Sequence, residues 1–146
     1  SPRQRRLSRL RSAALERGVK VSLVARPDGR GSGGRGDGGQ QYARYWLALA
    51  KPQQAAGAVL HRIDDNGWES AYPGWVWRDK ASDRRRDPAL AELIAQLPAG
   101  VLALSWDGGS VGAIWDERGE LDDMALLCDR LMALKQWRER LISAKT

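Results

Sequence analysis

Phenylalanine is missing from this 146-residue chain, and cysteine and histidine occur once each, as Cys128 and His61. One cysteine cannot close an internal disulfide, so the chain is not a stapled secreted scaffold, and a reducing compartment is favoured. One histidine excludes a metal site built from several imidazoles. Long apolar runs are lacking as well. Stretches such as Leu47 to Ala50 and Ala55 to Leu60 fall far short of the roughly 18 residues needed to span a bilayer. What remains is 42% hydrophobic and 29% charged, the composition of a globular domain. At this length, one core hides roughly 70% of the unfolded chain's surface.

Acid is scarce at the leading end, where no Asp or Glu precedes Glu16 while Arg3, Arg5, Arg6, Arg9 and Arg11 fall within the first eleven residues. Residues 1 to 36 hold ten Lys/Arg against Glu16 and Asp28, a net +8, which leaves −2 for the other 110 residues of a chain whose total is +6. A basic leader on a near-neutral remainder lacks the broad basic platform of a nucleic-acid binder.

Periodicity divides the chain. Leu7, Leu10, Ala14 and Leu15 share one face of a helix over Arg3 to Arg17, and Gly18 stops it. Val19 to Ala25 then alternates as a half-buried strand. Residues 29 to 39 hold seven glycines and no apolar side chain, so 27 to 40 is expected to be a flexible loop. Tyr42 to Ala50 and Ala58 to Ile63 read as further strands, and Asp65-Asn66-Gly67 turns toward a fourth extended segment through Trp75-Val76-Trp77. Asp87-Pro88 caps a second helix bearing Leu90, Leu93, Ile94 and Leu97. Asp107-Gly108-Gly109-Ser110 joins a hairpin of Val101 to Trp106 and Val111 to Trp115, and Gly119 precedes a last helix from about Leu121 to Ile142. The order α-β-β-β-β-α-β-β-α with short turns predicts an α+β fold. Its mainly antiparallel sheet should have five to six strands and three helices. Residues 1–18 are expected as a basic juxtamembrane helix and 19–146 as a single α+β domain with the flexible loop at 27–40. The core should hold Leu23, Leu47, Leu49, Val101, Ala103, Ile114, Leu127, Leu131 and Leu134.

Candidate chemistry is sparse. The glycine run is followed by neither a helix start nor a Gly-Lys-Ser/Thr ending, so it is no phosphate loop. Arg35-Gly36-Asp37 within it follows from composition. Cys128 falls on the apolar stripe of the last helix, where burial raises a thiol pKa and makes it inert. An enzyme of unknown class would need His61 gathered with acids such as Asp64 or Asp107. Asp107, Asp116, Glu117, Glu120, Asp122 and Asp123 straddle a strand without the alternation of a cation loop, and acids at a helix start already complement its dipole. No catalytic residue, metal or cofactor is expected.

The unusual feature is aromatic: seven Trp and three Tyr, with Trp68, Tyr72, Trp75 and Trp77 inside ten residues and Arg78, Arg84, Arg85 and Arg86 behind them. These rings are read first as core filling. The alternatives are a protein-binding surface of Trp and Arg or a nucleic-acid surface that stacks bases on the rings.

Ser1-Pro2-Arg3-Gln4-Arg5-Arg6, followed by Leu7, Leu10 and Leu15, resembles the segment just after the membrane helix in uncharacterised single-pass inner-membrane proteins of Gram-negative bacteria. Some of these are labelled as the preprotein translocase accessory subunit. The likeness covers about twenty residues, and no functional residue travels with it. It implies a membrane helix ahead of Ser1 and a domain facing the cytoplasm, an orientation that the Lys/Arg excess also favours. The expected function is non-catalytic, through contacts with a protein partner. Arg3, Arg5, Arg6, Arg9 and Arg11 would lie against anionic lipid, with nucleic acid the less favoured partner.

Overall fold

The computed structural model describes residues 1–27, 39–80 and 85–145. The glycine-rich segment and Arg84 therefore lie, wholly or mostly, outside the described residues. Helices α1 (Pro2–Glu16), α2 (Pro88–Ala95) and α3 (Leu121–Ala144) accompany strands β1 (Lys20–Val24), β2 (Tyr42–Ala48), β3 (Ala58–His61), β4 (Trp68–Glu69), β5 (Val76–Trp77), β6 (Val101–Trp106) and β7 (Ser110–Trp115). All pairings are antiparallel, in the order β1-β2-β7-β6-β3-β5-β4. The fold is α+β, as the short turns require. The strand count exceeds the expected five to six because β4 precedes the segment read as the fourth strand, which is β5. β4 and β5 pair with each other, and β5 is inserted between β4 and β3.

The registers put Tyr45 and Leu47 of β2, Val111, Ala113 and Trp115 of β7, Leu104 and Trp106 of β6, and Leu60 of β3 on one face. All are buried in the main core with Met124, Leu127, Leu131 and Leu134 of α3. Asp87 starts α2 as the sequence requires: one carboxylate oxygen accepts from the amides of Ala89 and Leu90, and the other accepts from Trp137 Nε1 of α3 at 3.0 Å. Eight of the nine expected core residues are buried; Leu23 is 53% exposed. It has the right phase, opposite Ala43. But it sits on the outermost strand, beyond the cover of α1, and alternation alone does not reveal which strand lies at an edge.

Helix α1 is not a separate appendage. Leu10 and Ala14 are buried in the same core, and Val19, just after the Gly18 turn, is buried too. Gly18 adopts φ 83°, a left-handed conformation that ends the helix at little cost. Among the described residues, α1 and the sheet share one core.

Candidate functional site

The sequence singled out the aromatic segment, and the structure takes most of it away from solvent. Tyr72, Trp75 and Trp77 are buried, and Tyr72, Trp77, Trp106 and Trp137 form a chain of edge-to-face rings with centroids 6.4, 6.0 and 4.9 Å apart. Such pairs add about 0.5–1.5 kcal/mol each beyond their burial. Arg62 lies over the Trp75 ring at 4.9 Å, and the Tyr72 hydroxyl accepts from the Asp87 amide. Core filling was the right reading for these three. Their rings are therefore turned into the fold and not displayed on its surface. Trp68 is 45% exposed, with Lys80 over its ring. Arg78 pairs with Asp79 at 3.0 Å, and Arg85 and Arg86 are exposed.

The residues weighed for catalysis have the following surroundings. His61 is fully buried on the sheet face away from the helices, opposite Ala103. Cys128 is buried in α3 on the other face, and burial pushes its thiol up to about 11. Asp64 is held by Arg26 at 2.8 Å. Asp107 accepts from the amides of Gly109 and Ser110, capping its own hairpin. Burial would raise the Asp107 pKa, but those amides and the charges of Arg44 and Arg138 hold it below its ordinary value. Among the described residues no cluster of three His, Cys, Asp or Glu side chains forms that could hold a metal.

Sequence reading missed Glu117. It is 7% exposed and holds φ 61°, which costs a non-glycine residue on the order of 1 kcal/mol. Its carboxylate accepts two hydrogen bonds from Arg11, at 2.9 and 2.7 Å, and one from the Tyr45 hydroxyl at 2.7 Å. Its backbone carbonyl accepts two from Arg6, at 2.7 and 2.5 Å. The hydrogen bonds that Arg11 donates to Glu117 outweigh burial and raise the Arg11 pKa, while burial, then Glu117, pushes the Tyr45 hydroxyl up. So Arg6 and Arg11, expected at the lipid surface, instead clamp α1 to the turn between β7 and α3. Arg3, Arg5 and Arg9 remain exposed. At 100° per residue, Arg5 and Arg9 lie nearly opposite Leu10 and Ala14.

Clamping α1 here creates a groove. Leu7, Ser8, Ser12 and Leu15 of α1 face Lys20, Val21 and Ser22 of β1 across a cleft of about 690 Å³ that also touches Gln4, Arg11 and Trp46. The strand forming its floor pairs with β2 on one side only. Among the described residues no other backbone hydrogen bond reaches β1. Lys20 lies 4.9 Å over the Trp46 ring, whose Nε1 donates to the Ser22 hydroxyl.

The geometry defines a class of domain: an antiparallel sheet covered by helices on one face, with a helix-walled edge strand and an Arg11–Glu117–Tyr45 cluster that ties the wall to the sheet. No family model matches the chain, and no curated protein matches it. Among solved structures, its fold is similar to the crystal structure of the mycobacterial trehalose monomycolate transport factor A, TtfA. The TM-score is 0.54 at 10% identity, covering 88% of this chain and 92% of that one. At that identity the likeness is one of fold.

Proposed function

We propose that this domain is a non-catalytic interaction unit held at the anionic cytoplasmic face of a membrane, where it works through contacts with another protein. The observation that supports the membrane half is the docking of α1. Burial of Leu10 and Ala14 and the Arg6 and Arg11 bonds to Glu117 fix the helix, so Arg3, Arg5 and Arg9 are displayed at set positions. Each basic group near an anionic surface contributes about 1 kcal/mol. Three such groups orient a tethered domain; they do not anchor a free one. No helix among the described residues is long and apolar enough to cross a membrane, so the tether belongs to sequence outside these residues. The likeness to a transport factor is one of fold and brings no cargo with it.

The nucleic-acid reading needed Arg78 and Arg84 to Arg86 beside at least two exposed Trp rings. Trp75 and Trp77 are in the core, which removes its support. The enzyme reading needed His61 beside Asp64 or Asp107, and those acids are committed to Arg26 and to the hairpin turn.

Co-sedimentation tests the membrane half. The protein should pellet with vesicles of phosphatidylserine and phosphatidylcholine, release as salt rises, and lose binding when Arg3, Arg5 and Arg9 are all changed to Glu. Equal binding to pure phosphatidylcholine, or indifference to the triple change, would sink it. A reporter active only in the cytoplasm, fused to the C-terminus of the full-length protein, tests orientation: signal in the membrane fraction is expected, and a soluble product refutes it.

A further inference from the structure

We propose that the groove between α1 and β1 receives an extended segment of a partner protein. The segment adds to the sheet as an eighth strand, with apolar side chains toward α1 and acidic side chains toward Lys20. The inference rests on the reading of the domain as one that works through protein contacts, and not on its membrane half.

Three observations carry it. First, β1 is five residues long and, among the described residues, bonded on one side only. That leaves roughly 17 Å of strand edge with unpaired amides and carbonyls, the template that β-augmentation uses. Second, the groove walls are sorted by face. Leu7, Leu15 and Val21 supply its apolar side, with Leu15 63% exposed. Lys20 and Ser22 project to the other face of the sheet, across from Trp46 and Arg44. A strand laid here alternates in the same way, so every second residue meets leucine and valine while those between meet Lys20. Third, the lining carries charge of one sign: Arg11 and Lys20, with no Asp or Glu. Glu117 already occupies Arg11, whereas Lys20 is exposed and has Trp46 as its neighbour. An incoming carboxylate therefore completes Lys20 first.

The same charges argue against a second copy of this chain, since pairing β1 with its own equivalent would bring two acid-free cationic grooves together. Leu15 is also too exposed for a purely structural wall. At the end of α1 it projects beside a strand whose outer edge, among the described residues, has no backbone partner.

The probe is a library of random decapeptides displayed on phage and selected on the whole chain, with the Lys20→Glu variant for counter-selection. Enriched peptides should alternate apolar residues with Asp or Glu. A synthetic winner should shift the amides of Leu7 to Leu15 and Lys20 to Val24, and should bind Lys20→Glu about fivefold more weakly. Leu15→Asp, an exposed site whose change leaves the core intact, should weaken it similarly. Prolines at alternate peptide positions should abolish binding, because they remove the amide donors. No enrichment over the Lys20→Glu control, shifts that map elsewhere, indifference to proline, or self-association through β1 in sedimentation would each overturn the proposal. Both variants keep Arg3, Arg5 and Arg9, so vesicle binding by the same proteins reports the membrane half separately.

Discussion

At one edge of the sheet β4 contributes two residues, Trp68 and Glu69; at the other β1 runs for five, from Lys20 to Val24. The short edge follows the common protection against unwanted pairing, since two residues offer too little ladder to template a neighbour. It also hangs on a stack of aromatic rings reaching α3. The long edge is left bonded on one side and is shielded by a helix that stands off it, leaving room for a strand. Its shield is held by the buried Leu10 and Ala14 together with polar clamps, Arg6 and Arg11 on Glu117. The contrast separates an edge that is protected by its shortness from one that is walled by a docked helix.

Breaking the short edge should cost most. Trp77→Ala removes a ring that touches both Tyr72 and Trp106, and should destabilise the domain by about 4 kcal/mol in chemical denaturation. Trp77→Phe should recover much of that, because the Trp77 indole N–H has no hydrogen-bond partner among the described residues.

At the long edge, Glu117→Ala leaves Arg11 and the Tyr45 hydroxyl without their acceptor and should cost about 3 kcal/mol. Hydrogen exchange should then rise along α1 more than along β6. Glu117→Gly should be milder by roughly 1 kcal/mol, since glycine accepts φ 61° without strain. Equal loss for both would mean that backbone strain plays no part.

Acid should act on the hairpin midway between the edges. Asp107 titrates below its ordinary value of 3.8 when folded. Its contribution is therefore complete above that value and is lost as pH falls through the lower folded pKa. Asp107→Asn should flatten stability against pH in that acid range; an unchanged profile would refute the role of the capped carboxylate. Smallest of all, Trp68→Ser at the exposed rim of β4 should shift stability by under about 0.5 kcal/mol.

The periods of the sequence located most elements because burial on one face dictates them. Leu47, Val101 and Leu131 were legible for that reason. Leu23 was not, because strand order is set by pairings far apart in sequence, as when β2 joins β7 rather than β3. The Trp-rich segment was legible as core filling but not as two short strands, because its hydrogen bonds go to β3 across an intervening turn. Glu117 left no local signal at all. Its role comes from a left-handed backbone and from Arg11, 106 residues earlier.

That separation also sets a clock. A ribosome adding about 10 residues per second needs on the order of 10 s between Arg11 and Glu117. During that interval the nascent α1 has its leucines and arginines in place but neither its anchor nor α3 to lie on. The basic, amphipathic helix then lacks the contacts that later hold it as the wall of the groove. The groove beside β1 therefore takes its final form only once the last third of the chain has been made.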